Sequence, residues 1–244
     1  MGSVVALDSL LQDRRVWRGR QDVPPARTQS TGHAQLDAAL PSGGWQAAAL
    51  NEILLPAIGS GELQLLWPTL ARLSAAGERV VLVGPPAIPF PPVWLTAQVT
   101  LPRLSIIQAS GREALWAAEQ CLRSGSCGAV LCWPERADDR ALRRLQAAAE
   151  TGDTLAFALR PQREAVNSSP AALRLMLELR PRQLRILKCR GGLTPSTAYP
   201  RGSYAPTGHA QRNATAQGVA GGQSGGAGDG PARRANVICC ACAE

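Results

Sequence analysis

The residue types that most often carry out chemistry are scarce in this chain and widely spaced. His33 and His209 are the two histidines, and they lie far apart in the sequence. Lys188 is the only lysine among 26 basic residues, so any mechanism that requires a lysine must use it. These positions match neither a catalytic triad nor a histidine metal centre.

The seven cysteines give no clear metal site. Cys121, Cys127 and Cys132 lie in or near apolar segments, where a reduced thiol packs as a small hydrophobic group. None of their spacings is the Cys-x-x-Cys pair of a zinc site. Cys239, Cys240 and Cys242 cluster in the last six residues, which we interpret as an uncommitted tail, with a metal or redox role as the alternative. We expect no cofactor and no metal.

The elements that would position a site alternate between strands and helices. Short apolar runs bounded by turn residues predict strands, and apolar residues at a 3.6-residue period predict helices. Predicted strands cover 48–55, 79–83, 104–107, 128–133, 154–159, 173–179 and 183–188. Predicted helices cover 61–75, 113–122 and 140–149, after a short helix carrying Leu36 and Leu40 that Ser30-Thr31 caps. The last two strands are expected to pair antiparallel at the sheet edge. The fold class is therefore α/β, a mostly parallel sheet covered by helices.

Residues 30–190 resemble the core of RecA-type, P-loop NTPase-type α/β domains in the order and spacing of their elements. The entry to that core is matched by Ser30-Thr31-Gly32, Leu36-Asp37, Gly43-Gly44 and Glu52-Ile53, and the nucleotide loop by the segment from Leu55 to Leu63. The resemblance implies a RecA-like fold with this loop after the first core strand.

The loop lacks the side chains that bind a nucleotide. A phosphate-binding loop uses backbone N–H groups around glycines, a lysine that reaches the β- and γ-phosphates, and a Ser or Thr hydroxyl on Mg²⁺. Gly59 and Gly61 remain, but Glu62 stands at the lysine position and Leu63 at the hydroxyl position. A carboxylate facing a triphosphate is repulsive. We therefore expect a degenerate loop that binds no nucleotide.

Two acids that the resemblance implies are also missing. The strand that should lead to a magnesium-binding acid ends in Trp133-Pro134, and the strand that should lead to a water-activating acid continues into Gly84-Pro85. With Lys188 far downstream, no substitute lysine is near the loop. The sequence predicts that the chain is not an enzyme.

Among RecA-like proteins the chain most resembles ImuA, the SulA- and RecA-related component of bacterial mutagenesis cassettes. The stretches that carry this resemblance are Val16–Gly19, Ser30–Gly32, Leu54–Pro56, Gly59–Leu63, Glu113–Gln120, Ala129–Pro134, Arg140–Gln146 and Ser169–Leu175. It implies an accessory role in SOS-induced translesion DNA synthesis with ImuB, a Y-family polymerase-like adaptor, and an error-prone DnaE-type polymerase. RecA is a further candidate partner. The alternatives are a SulA-like inhibitor of cell division that binds FtsZ, and a divergent RecA-like ATPase.

Several arginines and one tryptophan are candidate contacts with DNA or a partner. Arg140, Arg143 and Arg144 place positive charge along one predicted helix, and a solvated helix face is the alternative. Arg160 and Arg163 lie in the connection before the terminal strand pair, where RecA-like proteins face DNA, although the connection lacks aromatic residues for stacking on bases. Trp17, between arginines, is a candidate for contact with a neighbouring subunit or partner, with intramolecular packing as the alternative.

Composition divides the chain into three parts. Residues 1–29 are predicted to form an N-terminal helix and linker, 30–192 the RecA-like core, and 193–244 a disordered tail rich in glycine and alanine. The net charge of +8 is spread over all three, so no block reads as a dedicated nucleic-acid arm. No apolar run is long enough to span a membrane, and the first residues do not match a secretory signal. We expect a cytoplasmic protein.

Overall fold

A mostly parallel β-sheet organises the part of the chain that the computed structural model describes, residues 27–191 together with the backbone of 198–200 and 236–239. Its strands and those of a small two-stranded ribbon are β1 Thr28–Gln29, β2 Trp45–Gln46, β3 Leu50–Leu55, β4 Arg79–Val83, β5 Leu104–Gln108, β6 Cys127–Cys132, β7 Leu155–Pro161, β8 Leu173–Leu179, β9 Arg182–Cys189, β10 Ala198–Pro200 and β11 Asn236–Cys239. The α-helices are α1 Ala34–Ala39, α2 Glu62–Ala75, α3 Pro91–Thr96, α4 Gly111–Arg123 and α5 Asp139–Gly152. Two 3-10 turns cover Leu101–Arg103 and Gln162–Val166.

The strand order of the main sheet is β10-β9-β8-β3-β7-β6-β4-β5-β11. The six strands from β8 to β5 in that order run parallel, and β9 pairs antiparallel with β8. This confirms the predicted parallel α/β sheet with an antiparallel terminal pair, and it is consistent with a RecA- or SulA-like α/β fold. Parallel strands need helical crossovers, which is why the helices lie on the faces of the sheet.

Both faces of the sheet are covered, and each has its own hydrophobic core. On one face Leu36 of α1, Leu66 and Leu70 of α2 and Trp94 of α3 pack on the sheet. On the other face α4 and α5 pack on the sheet, through buried residues that include Leu122 and Leu145. Because both faces are buried, strands such as β3 and β6 are buried along their whole length. No helix among the described residues is long and apolar enough to cross a membrane.

The start of α1 differs from the prediction. His33, and not Ser30-Thr31, is the residue that precedes the first turn of the helix. Ser30 Oγ donates a hydrogen bond to the Asp37 carboxylate at 2.6 Å, and the Thr31 N–H donates to its other oxygen at 2.9 Å. The two residues therefore stabilise the entry to α1 through an acid in its first turn, and do not cap the helix themselves.

The short helix α3 was not predicted, because the segment that leads into it is rich in proline. Pro91 and Pro92 occupy its first turn, where a missing N–H removes no intrahelical hydrogen bond. Trp94 packs edge-on against Trp67 of α2, with ring centroids 4.8 Å apart. This contact between distant segments holds α3 against the sheet.

Two short strands of the C-terminal segment, at 198–200 and 236–239, pair with the two edges of the sheet, and the rest of residues 193–244, predicted to be a disordered tail, lies outside the described residues. β10 pairs antiparallel with β9, and β11 pairs antiparallel with β5. An exposed sheet edge offers unpaired N–H and C=O groups to any extended segment. The β11 sequence Asn-Val-Ile-Cys includes β-branched residues that favour strands, within a glycine-rich surrounding.

Candidate functional site

A cleft of about 300 Å³ opens at the carboxyl ends of β3, β4, β6 and β7. In open α/β sheets, ligands bind at the carboxyl ends of the strands. The residues that line this cleft are mostly apolar: Leu55, Pro56, Ala57, Ile58, Gly84, Pro86, Trp133, Pro134, Glu135, Leu159, Arg160, Pro161 and Arg163. It lies beside the loop that joins β3 to α2, where the RecA-type resemblance implies a nucleotide.

The β3–α2 loop is held by its own hydrogen bonds. Gly59 and Gly61 adopt left-handed backbone conformations, with φ of 78° and 91°, which glycine reaches without steric conflict. The Ser60 hydroxyl accepts a hydrogen bond from the Ala57 N–H at 3.1 Å and donates one to the Ala57 carbonyl. The two left-handed glycines and the Ser60 hydroxyl thus fix the path of the backbone in this loop.

Glu62 turns its carboxylate back into the loop. Its Oε1 accepts a hydrogen bond from the Gly59 N–H at 3.0 Å, and the residue is only 4% exposed. Its Oε2 is buried and has no hydrogen-bond partner among the described residues. A helix N-terminus favours negative charge, which is why phosphates bind there and also why Glu62 is stable as the first residue of α2. The side chain inside this loop is therefore the Glu62 carboxylate.

The residues around Glu62 do not supply the side chains that would bind a phosphate or its metal ion. Leu63 is partly buried against the core and offers no hydroxyl for a metal ion. Trp133 follows β6, and its indole Nε1 is buried without a hydrogen-bond partner in the described part of the chain. At Gly84, which follows β4, a Cβ atom would lie 2.7 Å from the Ala109 carbonyl oxygen, so a larger residue does not fit there without movement.

Lys188 lies on β9, two strands from β3 in the sheet. Its Nζ donates a hydrogen bond to the Ser169 carbonyl at 2.7 Å. Desolvation lowers the pKa of this lysine, and the positive charges of Arg174 and Arg190 lower it further. The structure thus assigns the single lysine to the β7–β8 connection and not to the loop.

A buried ion-pair network lies between β3, β7 and β8, and the sequence reading did not find it. Glu52 is fully buried and accepts from Arg160 Nη1 at 2.6 Å and from Arg174 Nε at 2.5 Å. Arg160 also donates to Glu164 at 2.9 Å and to the Ala137 carbonyl at 2.8 Å. A charged residue inside each of two mostly apolar strands, Glu52 and Arg174, was the available signal. The network ties the floor of the cleft to the 3-10 turn after β7.

The arginines predicted as contacts separate into two groups. Arg160 is 2% exposed and donates to Glu52, Glu164 and the Ala137 carbonyl, and its Nε is buried without a partner among the described residues. It is therefore not the surface contact that the sequence suggested. Arg163 is exposed at the rim of the cleft, 3.8 Å from Glu164. Because Arg163 and Arg160 are three residues apart in a bent connection, the sequence alone did not distinguish the inward side chain from the outward one.

The three arginines of α5 are exposed. Arg143 pairs with Asp139 of its own helix at 2.6 Å, and Arg144 pairs with Glu119 of α4. Arg140 has no ion-pair partner within residues 27–191. Contact of these side chains with DNA or a partner stays a prediction, as does a contact by Trp17, which lies outside the described residues.

Comparisons with protein-family models and with curated proteins find no match. Among solved structures, the chain is similar to SulA from Pseudomonas aeruginosa, with 29% sequence identity and a TM-score of 0.41. The match covers 47% of this chain and 98% of that protein.

Proposed function

We propose that this chain is a non-enzymatic adaptor in SOS-induced translesion DNA synthesis, acting with an ImuB-type Y-family-like protein and an error-prone DnaE-type polymerase. The pathway and partners follow from the resemblance to ImuA. One observation supports the part of the proposal that denies ATP hydrolysis: the carboxylate of Glu62 accepts a hydrogen bond from the Gly59 N–H inside the loop. The adaptor uses its RecA-like scaffold to bind proteins.

Electrostatic repulsion is the physical reason why the loop rejects nucleotides. A phosphate in this loop would approach a buried carboxylate and would have to replace its hydrogen bond to the Gly59 N–H. Two like charges 4 Å apart repel by about 1 kcal/mol in water and by about 4 kcal/mol at an effective dielectric constant of about 20. No lysine is near to compensate, because Lys188 is engaged at the β7–β8 connection.

An exposed apolar surface supports a role in protein binding. The segment between β4 and β5 contains no charged residue from Gly84 to Thr100. Four of its large apolar side chains are exposed to solvent: Ile88, Phe90, Val93 and Leu95. Ile58 of the β3–α2 loop, which lines the cleft, is exposed as well. Clustered exposed apolar side chains are one mark of a protein–protein interaction site.

Titration calorimetry with Mg·ATP tests the claim about the loop. We expect no binding heat from the full chain. Binding that disappears when Gly61 is replaced by Val would support the divergent ATPase instead, because a bulky residue cannot adopt the φ of 91° found there. Binding that survives Gly61→Val would place the nucleotide elsewhere and would equally contradict an adaptor without ATP.

Co-purification after DNA damage tests the pathway. The tagged full chain is expected to retain an ImuB-type protein, and Phe90→Ser is expected to weaken that retention. Val166→Ser is the matched control, since Val166 is also an exposed apolar residue but lies in the 3-10 turn after β7. The proposal would be refuted if the tagged parent chain retained no ImuB-type protein and damage-induced mutagenesis were intact in a strain that lacks the chain. Filamentation on overexpression without damage would favour the SulA-like inhibitor.

A further inference from the structure

The outer face of α4 and α5 presents an exposed tryptophan among arginines. Trp116 of α4 is 58% exposed, although indole is one of the largest apolar side chains. It lies on the opposite face of the sheet from α3 and its exposed apolar residues. Neither the loop nor the protein-binding surface proposed above uses it.

Helical periodicity places arginines on the same side of α4 as Trp116. Arg112, Trp116 and Arg123 are spaced by four and seven residues, which brings their side chains to one side of the helix. The opposite side of α4 carries Ala114, Ala118 and Leu122, which are buried against the sheet. The arginine and tryptophan side chains therefore point away from the core.

Glu119 connects this side of α4 to α5. It accepts hydrogen bonds from Arg123 of its own helix at 2.9 Å and from Arg144 of α5. Both helices lead from the carboxyl end of one parallel strand to the amino end of the next, so they run in the same direction. Arg140, one turn before Arg144, consequently lies at the level of Trp116, about one turn before Glu119.

The charge of this face is positive. Its arginines are Arg112, Arg123, Arg140 and Arg144, and its acids are Glu113 and Glu119, which leaves a net charge of +2. Arg123 and Arg144 share Glu119, whereas Arg112 and Arg140 have no ion-pair partner within residues 27–191. The guanidinium groups of Arg112 on α4 and Arg140 on α5 can thus bind an external anion near the indole.

We infer that this face binds single-stranded DNA, with Trp116 stacking on a base and Arg112 and Arg140 contacting phosphates. Single-stranded nucleic acid offers unpaired bases next to regularly spaced phosphates, and aromatic side chains within a basic groove are the features that bind it. Duplex DNA offers no unstacked base to an indole. The choice of DNA over RNA rests on the proposed function, whereas the binding chemistry itself does not.

The surroundings of Trp116 favour a nucleic acid over a protein. Protein interfaces are enriched in tryptophan and arginine but depleted of glutamate, whereas nucleic-acid interfaces are more polar and much more positively charged. Arg112, Glu113 and Gln120 are exposed within one turn of Trp116 along α4, and Arg140 and Arg144 are exposed on α5. An anionic polymer with flat bases fits both the charge and the aromatic ring of this face.

Fluorescence anisotropy with a labelled oligothymidylate of about 15 nucleotides, titrated with the full chain, tests the inference. We expect binding with a slope of log K against log salt of about −0.7 for each phosphate contact. Trp116→Ala is expected to weaken binding by roughly 5- to 100-fold, the range found for loss of one base–aromatic stack. Trp116→Phe should retain most of the affinity. Arg140→Gln should weaken binding and make the salt slope shallower by about 0.7.

Arg103→Gln is the matched control, because Arg103 is also exposed but lies in the 3-10 turn between α3 and β5. It should leave the affinity unchanged, and circular dichroism should show the same fold for all four variants. No binding by the parent chain, equal binding by Trp116→Ala, or tighter binding of the matched duplex or oligoribonucleotide would overturn the inference. If DNA binding fails while an ImuB-type protein still co-purifies, this inference falls and the proposed adaptor stands.

Discussion

Glu52 offers the most direct test of the buried network, because one substitution removes its central charge and changes little in shape. The carboxylate is fully buried between Arg160 and Arg174, at 2.6 Å and 2.5 Å. In Glu52→Gln one amide nitrogen replaces a carboxylate oxygen and faces an arginine donor, so one of the two hydrogen bonds becomes a donor–donor contact. The remaining charges are two arginines and the partly buried Glu164.

The expected loss of stability is large for a single isosteric change. Removal of one partner from a buried ion pair typically destabilises by about 3–5 kcal/mol, because the other charge stays buried without compensation. For a domain of about 150–250 residues, each kcal/mol lowers Tm by about 2–4 °C. Glu52→Gln should therefore lower Tm by roughly 6–20 °C, and its denaturant midpoint should fall in proportion.

Guanidinium chloride unfolding followed by circular dichroism measures this effect. The matched control is Glu150→Gln, which removes an exposed ion pair with Arg190 at 3.8 Å. Surface ion pairs contribute about 0–1 kcal/mol, so this variant should unfold nearly like the parent. Replacing Glu52, Arg160 and Arg174 together by Met should recover part of the loss, since apolar packing often substitutes for a buried ion pair. A Glu52→Gln protein within about 1 kcal/mol of the parent would refute the account of a desolvated ion-pair network that depends on the Glu52 charge.

Three further predictions concern packing, helix capping and thiol reactivity. Gly152→Ala should destabilise the fold more than Gly43→Ala, because a Cβ at Gly152 would lie 1.9 Å from the Leu122 carbonyl oxygen, whereas Gly43→Ala is strained by its φ of 73° but meets no atom within 4 Å; equal denaturant midpoints would contradict this. Asp138→Ala should cost about 1 kcal/mol in the same assay, since its carboxylate caps α5 at 2.7 Å, and an unchanged midpoint would show that the cap contributes nothing. Burial raises the pKa of Cys132 to about 12, so its thiolate is rare at pH 8 in the folded chain. Iodoacetamide labelling mapped by mass spectrometry should leave Cys132 unmodified until the chain is unfolded, and rapid labelling of the native protein would contradict its burial.

Most elements of the core were predictable because local patterns and burial agree. β4 and β8 have the predicted bounds, and α2 begins one residue later than predicted. In each case the sheet buries the apolar residues that define the pattern, so hydrophobicity marks the element. The short helix α3 was not predicted, because a helix of about one and a half turns that begins with two prolines is too short to show a hydrophobic periodicity.

The candidate site was predictable in its chemistry and not in its geometry. The types of Glu62 and Leu63 already argue against a nucleotide, because a carboxylate repels phosphate and leucine has no hydroxyl. The sequence does not show that the Glu62 carboxylate bonds to the Gly59 N–H, since this depends on the left-handed turns between them. Arg160 was misread for a related reason, because its acid partner Glu52 lies 108 residues earlier in the chain.

The sequence by itself determined the α/β class, the alternation of strands and helices, and the loss of the side chains that bind a nucleotide. These properties depend on residue type and on neighbours within a few positions. Only the tertiary structure decided which charges meet and which stay exposed. Glu52 contacts Arg174 across 122 residues, and Arg144 meets Glu119 between two helices. Strand order and helix packing bring such residues together, and neither can be predicted from a short stretch of sequence. The lack of a lysine and of a hydroxyl side chain at positions 62 and 63 is therefore visible in the linear sequence, whereas the face around Trp116 exists only once α4 and α5 have packed together.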